Sequence, residues 1–425
     1  MTIYPATPPA DGGNNPTLDP RPAKPITVVD ARMGRGKSSA AIRYMNRHRD
    51  SKRFLYITPY LDEVGRICEQ CDFDQTDGDY TTKSVELKVL LSQGVNIAAT
   101  HSLFYLMDNE ALELIREKKY SLIADESLQV AERINISDKD FEMIVQKLTV
   151  EGEDGALEWI DSDYQGRFSD YKSMADLGSL YRLDTALLNI MNPDLLRSFD
   201  EVFMLTYLFE GQYQSAYLNY FGFEYRIVGV ERDENGYRFS DRPDAPPPID
   251  YTKLMNIVSD RKMNKVGDGT YALSKNWFAK RDYGSADMKA LRNGLRNFFR
   301  VTDSGSDSQL WTTFKEGRSK IVEAKTRRFN STFLQVSARA TNEYRSRNSV
   351  AYLANRFIDP NLMKLFASKD ISVDPDKFAL SEMLQWIWRS AIRDDMPINL
   401  YIPSKRMRQL LLDWIEEQKQ GGITK

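Results

Sequence analysis

Histidine and cysteine are nearly missing: the 425-residue chain has two of each, His48 and His101, Cys68 and Cys71. A structural zinc site takes four ligands, and the CxxC formed by Cys68 and Cys71 has no second pair to complete one. A disulfide scaffold is excluded, and two incidental thiols fit a reducing compartment. Long apolar runs are missing too; none approaches the roughly 18 residues that span a bilayer. The stretch Met1–Lys24 has no apolar core of a secretion signal. Its Pro, Gly and Asn content reads as a disordered lead-in. The expectation is a cytoplasmic protein with no membrane partner.

What is present is globular in profile, 41% hydrophobic and 28% charged, with a length that predicts two to three domains. The net charge of −3 hides an asymmetry. Asp125–Asp163 holds 12 acidic and 3 basic residues, whereas Arg261–Arg300 holds 10 basic and 3 acidic and Lys315–Arg347 holds 9 and 3. Basic stretches gathered in one half of a chain suit a surface that meets phosphates.

The first 130 residues alternate β-branched runs with amphipathic ones, the pattern of parallel strands with helical crossovers. Strands are expected at Ile26–Asp30, Arg53–Thr58, Asn96–Thr100 and Tyr120–Asp125, with helices at Lys37–His48, Leu61–Gln70, Lys83–Ser92 and His101–Lys118. Leu128–Arg197 reads as an acidic, mostly helical insertion. Strands return at Glu201–Leu208 and Phe223–Val230, and the proline-bearing stretch Glu231–Ile249 reads as a linker. Beyond it the pattern predicts strands near Thr270–Leu273, Gln309–Phe314, Thr332–Ser337 and Ile398–Ile402. Helices are predicted near Ser285–Arg300, Arg347–Phe357, Lys377–Arg393 and Ser404–Gln418. The domains expected are 25–230, with the insertion at about 128–197, and 250–425.

Ala31-Arg32-Met33-Gly34-Arg35-Gly36-Lys37-Ser38 fits a phosphate-binding P-loop, with Ala where many have the first Gly. Gly34 and Gly36 let backbone N–H groups close around phosphate oxygens. Lys37 offers a charge to the β- and γ-phosphates and Ser38 a hydroxyl to Mg²⁺. Ser39 opens a helix whose dipole favours the same anion. Met33, Gly34, Arg35, Gly36, Lys37, Ser38 and Ser39 are therefore the candidate ATP-binding residues. Leu122–Glu126 is an apolar strand ending in two carboxylates: Asp125 suits the metal and Glu126 the orientation and deprotonation of a water. Near the carboxyl end, Gln385, Arg389 and Arg393 fall at i, i+4 and i+8. On a helix they share one face and could serve ribose and the γ-phosphate.

In that order the motifs resemble those of superfamily 2 (DEAD/DEAH-like) helicases, of the compact type found among phage and mobile-element replication proteins. The resemblance covers most of Ile26–Trp414 apart from the insertion. Tyr56–Tyr60 resembles a strand-end motif that contacts the nucleic-acid backbone, and Ala99–Ser102 the next such contact. Asp125–Leu128 resembles the DExx box, and Leu205–Leu208 stands where the family couples hydrolysis to strand contact, which would make Thr206 the coupling residue. Ser337–Asn342 resembles the fifth motif and Gln385–Arg393 the sixth. The second arginine lies eight residues after Gln385 where the family has seven, and Trp388 replaces a usual glycine. The resemblance implies two RecA-like P-loop α/β domains with parallel sheets, ATP and Mg²⁺ as cofactors, and single-stranded or forked nucleic acid as partner, DNA ahead of RNA. Thr58, Pro59, Tyr60, Thr100, His101, Arg339 and Thr341 are the candidate strand contacts. Asn276–Arg300 interleaves Trp277, Phe278, Tyr283, Phe298 and Phe299 with basic residues, a mixture able to stack bases. The acidic insertion is a candidate surface for a replication-protein partner, and a phage-encoded chain would work in its host's cytoplasm.

The expected activity is a helicase or single-strand translocase of DNA replication or recombination. Two other readings stay open. A packaging-type ATPase would carry a nuclease with clustered carboxylates in its second half, where Asp374, Asp376 and Glu382 stand. An ATP-switched loader would bind nucleic acid without unwinding it.

Overall fold

The computed structural model describes residues 3–4, 24–78, 81–243, 247–322, 331–336 and 343–421. The chain divides into two compact units, Met1–Asp244 with Asp359–Val373, and Ala245–Ile358 with Asp374–Lys425. Each is built on a parallel sheet, so the fold is mixed α/β.

In the first unit, β1 (Ile3–Tyr4), β2 (Ile26–Asp30), β3 (Arg53–Thr58), β4 (Ile97–Thr100) and β5 (Tyr120–Asp125) precede the insertion. Within and after the insertion come β6 (Ala131–Ile134), β7 (Thr149–Glu151), β8 (Leu157–Trp159), β9 (Leu180–Leu183), β10 (Ala186–Ile190), β11 (Glu201–Thr206), β12 (Tyr225–Asp233) and β13 (Gly236–Ser240). The main sheet runs β1-β12-β2-β11-β5-β3-β4, with β13 hairpinned onto β12. From β12 to β4 every neighbouring pair is parallel. β11 therefore separates the strand that leads into the P-loop from the strand that ends in Asp125, and about 10 Å parts the two, at about 4.8 Å per strand. That is the arrangement of a RecA-like sheet, with its loops gathered at the carboxyl edge.

Successive residues of a strand point to opposite faces, and both faces of this sheet are covered. One face sends Val28, Leu55, Ile57, Leu122 and Met204 against α3 (Lys83–Gln93), α5 (Asn109–Lys118) and α9 (Tyr213–Tyr220). The other sends Val29, Phe54, Tyr56, Ile123 and Leu205 against α1 (Lys37–His48) and α2 (Leu61–Cys71). Each large side chain fully buried in this way contributes roughly 1.5–3 kcal/mol. Cys71 belongs to that second core, where burial pushes its thiol up to about 11, and Cys68 packs at the core's edge. The pair is part of the packing.

The structure corrects several expectations. The insertion is not mostly helical: β6, β10 and β9 form an antiparallel sheet and β7–β8 a hairpin, packed with α6 (Asp138–Met143) and α7 (Ser169–Asp176). Most of its acidic residues lie on α6, α7 and the connecting turns, and only Glu132, Glu151 and Glu158 stand on strands, so the acidic composition concealed the strands between them. The expected single helix over His101–Lys118 is two, α4 (His101–Phe104) and α5, because Asp108 caps a new start by accepting from Ala111 N. The first part of the expected linker is β12–β13, closed by a turn at Gly236 with φ 108°. A short helix, α8 (Asp194–Arg197), leads into β11. The lead-in lies outside the described residues, apart from Lys24 and from Ile3–Tyr4, which pairs antiparallel with Tyr225 and Arg226.

The second unit has β14 (Met255–Ile257), β15 (Gln309–Thr312), β16 (Ser349–Tyr352) and β17 (Ile398–Tyr401), parallel in the order β14-β17-β16-β15. Its helices are α10 (Arg261–Asn264), α11 (Lys275–Ala279), α12 (Ala286–Val301) and α13 (Lys315–Ile321), and, after an excursion of the chain, α15 (Pro375–Ile387) and α16 (Lys405–Lys419). The helix expected over Arg347–Phe357 is strand β16, since a short, wholly buried apolar run has no periodicity to separate the two. Thr270–Leu273 is a turn, with Leu273 at φ 63°. The Thr332–Ser337 strand reduces, among the described residues, to one bridge between Phe333 and Trp311. The excursion is Asp359–Val373, whose helix α14 (Pro360–Ala367) belongs to the first unit and packs on α9 and β6. No helix among the described residues is long and apolar enough to cross a membrane.

Candidate functional site

The site is assembled at the carboxyl ends of β2, β3, β5 and β11. Gly34 and Gly36 both take the left-handed conformation, φ 75° and 78°, and Gly36 caps the start of α1. Gly36 is also crowded: a Cβ there would lie 2.4–2.6 Å from ring carbons of Tyr237 on β13. The ammonium of Lys37 turns into the loop and donates to the carbonyls of Ala31 at 2.6 Å and Arg32 at 3.3 Å. Met33 and Arg35 are half-buried on the loop, and Ser39 is exposed at the start of the helix.

Ser38 Oγ donates to Asp125 Oδ2 at 2.8 Å, so the loop meets the acidic strand 87 residues away. Tyr56 Oη donates to the same oxygen at 2.5 Å, and Glu126 N donates to Oδ1 at 3.1 Å. Burial, then the neighbouring charge of Glu126, push the Asp125 carboxyl up to about 6, against the opposing effect of the Tyr56 and Ser38 hydrogen bonds. Glu126 is exposed and stands at φ 66°. A non-glycine residue held there stores about 1–2 kcal/mol of strain, a cost that clusters at functional positions. The strain turns the Glu126 side chain out of the strand's alternation and away from the core.

A buried polar network lies beside this pair. Gln212 Oε1 accepts from Thr206 Oγ1 at 2.9 Å, Ser127 Oγ at 3.1 Å and Gln214 Nε2 at 2.9 Å, and Gln212 Nε2 donates to Tyr207 O. Thr206 is 3.2 Å from Ser127, so the end of β11 is joined to the residue after the two acids. Asp30, at the end of β2, accepts from the backbone N–H groups of Leu208 and Phe209, and burial pushes its carboxyl upward.

The candidate strand contacts divide. Pro59 and Tyr60 are half-exposed at the end of β3. Thr58 is wholly enclosed, its Oγ1 3.4 Å from Tyr60 N, and Thr100 accepts from Leu103 N as the N-cap of α4. His101 turns inward, with Nε2 2.9 Å from the Asp125 carbonyl. Thr58 and His101 are both buried, His101 against the end of the acidic strand. Arg339 and Thr341 lie outside the described residues.

In the second unit the shared helical face of Gln385, Arg389 and Arg393 does not form. α15 stops at Ile387, Ser390 is extended with ψ −171°, and Arg393 sits exposed in a separate turn over Ala391–Asp394. Gln385 is half-buried on α15. Arg389 is 9% exposed, and its Nε and Nη1 have no hydrogen-bond partner among the described residues. The aromatics of Asn276–Arg300 are split: Phe278, Phe298 and Phe299 are core, while Arg281 stacks on Trp277 and Arg292 on Tyr283. Asp374 caps α15, Asp376 pairs with Arg406 and Glu382 with Arg356. Among the described residues no group of three or more His, Cys, Asp or Glu could hold a metal ion.

Asp30, Gln212, Gln214 and Tyr237 are not singled out by the sequence, and Tyr56 appears there only as the first residue of a strand-end motif. Asp30 had a signal, a carboxylate ending the strand before the P-loop; the glutamines had none, and Tyr237 stood in the supposed linker.

The fold and this edge define an α/β protein with a RecA-like first sheet and a P-loop pattern. Two family descriptions match: the YonV C-terminal Rossmann-like domain over residues 249–415 and the YonV middle domain over 131–189. The SPbeta prophage-derived protein YonV of Bacillus subtilis (strain 168) is 37% identical over 413 residues, 93% of this chain and 99% of that one. The chain belongs to the YonV family. Among solved structures it is similar to XPD in its apo form, with TM-score 0.49 and 12% identity over 92% of this chain and 95% of that one. It is also similar to Xpd4 of S. tokodaii, with TM-score 0.41 and 11% identity over 92% and 94%. Likeness at this level carries no functional argument.

Proposed function

We propose that this protein is a nucleic-acid-dependent ATPase, a helicase or single-strand translocase that acts on DNA in replication or recombination. The observation that carries the reading is the 2.8 Å contact between Ser38 and Asp125, which brings a P-loop hydroxyl and a strand-end carboxylate together beside Glu126.

The site fits Mg²⁺ and ATP by the chemistry of its donors. One hydroxyl and one carboxylate, with phosphate oxygens completing the shell, suit a cation that prefers few protein ligands. Ser38 and Asp125 would hold it. When bound, Mg²⁺ would supply positive charge that offsets the charge of the phosphates. The backbone N–H groups of residues 34–39 and the start of α1 bind phosphate oxygens. Lys37 leaves the carbonyls of Ala31 and Arg32 for the β- and γ-phosphates. Glu126 orients a water and accepts its proton as the water oxygen bonds to the γ-phosphorus. The bond to the β–γ bridging oxygen breaks, giving ADP and phosphate. Arg389 is the second unit's candidate for offsetting the charge that develops on the γ-phosphoryl group. Thr206, through Gln212 and Ser127, couples that change to the strand contacts, for which Pro59 and Tyr60 are the accessible residues.

The packaging reading is less well supported, since Asp374, Asp376 and Glu382 are each engaged in a cap or an ion pair. The test is the ATPase rate with no nucleic acid, single-stranded DNA, duplex, fork and RNA at matched salt. Stimulation by single strands or forks is expected. Hydrolysis indifferent to every nucleic acid would favour the ATP-switched loader.

A further inference from the structure

Tyr56 uses its hydroxyl differently from three other deeply buried tyrosines. Tyr120, Tyr217 and Tyr401 each donate to a backbone carbonyl, of Val95, Met191 and Met263. That is the usual way to satisfy a core phenol. Tyr56, with no exposed surface, donates instead to Asp125 Oδ2, the oxygen that also receives Ser38. The register allows it: β3 lies beside β5 with Tyr56 level with Ile123, two residues before Asp125, and the long side chain reaches toward the carboxyl edge.

The carboxylate has about four lone-pair sites. Tyr56 and Ser38 occupy two on Oδ2 and Glu126 N one on Oδ1. The remaining site is on Oδ1. A second carboxylate, Glu63 on α2, lies 3.5 Å from the phenol and is held by Arg66, so the one phenol proton goes to the nearer acceptor, Asp125.

We propose that Tyr56 is a positioning residue for the metal site: its phenol, bound to Oδ2, fixes the Asp125 carboxylate beside the Ser38 hydroxyl. This rests on the ATPase reading given above, in which Asp125 serves Mg²⁺. A donor that orients a ligating carboxylate typically governs metal affinity by about 10-fold or more.

The experiment uses the full chain and measures Mn²⁺ binding in the presence of ADP, from the electron paramagnetic resonance signal of free Mn²⁺, for wild type and Tyr56→Phe. Thermal melting and the Mg²⁺ dependence of ATP hydrolysis are recorded alongside. A dissociation constant for Mn²⁺ raised about 10-fold, with turnover at saturating Mg²⁺ within about threefold of wild type, is expected. An unchanged Mn²⁺ constant in a folded variant overturns the proposal. So does a loss of turnover with no change in metal binding. If the Phe variant does not fold, Tyr56→Gln and Tyr56→Leu give the comparison, being similar in size with and without a donor. Tighter Mn²⁺ binding by the Gln variant supports the role, and equal binding overturns it. Wild-type protein that binds no Mn²⁺ with ADP would contradict the ATPase reading itself, a result distinct from a silent Tyr56→Phe.

Discussion

The ring of Tyr237 lies against the backbone of Gly36, close enough that a Cβ on that glycine would sit 2.4–2.6 Å from three ring carbons. The β12–β13 hairpin therefore fixes the P-loop from outside, and Gly36 is required twice, for its φ of 78° and for the space it leaves. Gly36→Ala is expected to cost about 1–2 kcal/mol for the backbone alone, plus the displacement of Tyr237. Adding Tyr237→Ala should recover part of that loss and leave the backbone cost. Chemical denaturation of both variants checks the order.

Glu126→Gln removes the proton acceptor and keeps the shape. ATP binding should persist while turnover falls by at least about 10²-fold, the usual share of a general base. Equilibrium binding of a fluorescent ATP analogue and steady-state phosphate release, on the same preparation, separate the two effects.

Asp125 sets a pH dependence. Its folded-state carboxyl is raised to about 6 from an ordinary 3.8. The folded protein therefore holds this proton more tightly than the unfolded chain does. The associated stability is present in full below the unfolded value and is lost as pH rises from about 4 through about 6. In metal-free protein Asp125→Asn should therefore be more stable than wild type at pH 7–8, by about 3 kcal/mol, with the difference shrinking toward about pH 4. Urea melts in EDTA at several pH values measure this.

Arg389 is a buried cation with two nitrogens that lack hydrogen-bond partners among the described residues. Such a group is costly unless an anion visits it. Arg389→Met is expected to raise stability by about 1–3 kcal/mol and to slow ATP hydrolysis at least 10-fold. Arg393→Ala, exposed on its own turn, should change stability by less than about 0.5 kcal/mol. A gain in melting temperature paired with a loss of rate is the signature to look for.

Local chemistry was the legible part of the sequence. The P-loop spacing, the apolar strand before Asp125 and the helix propensities of α1, α2 and α3 depend on neighbours within a few residues. What escaped depends on contacts distant in sequence. Gln212 gains its role only because β11 lies beside β5, and Tyr56 because β3 does. Strand β16 was mistaken for a helix, since a run buried on both faces shows no alternation. Gln385, Arg389 and Arg393 do not share a face because the helix ends at Ile387 and the backbone straightens at Ser390. The excursion of Asp359–Val373 into the first unit left no trace in composition.

The most direct test of the account is phosphate release from Mg·ATP by wild type, Lys37→Ala and Glu126→Gln, each with and without single-stranded DNA. The account predicts hydrolysis by wild type that rises at least 10-fold with the strand, and background rates from both variants. Wild-type protein that releases no phosphate, or a Glu126→Gln protein that matches it, would contradict the account.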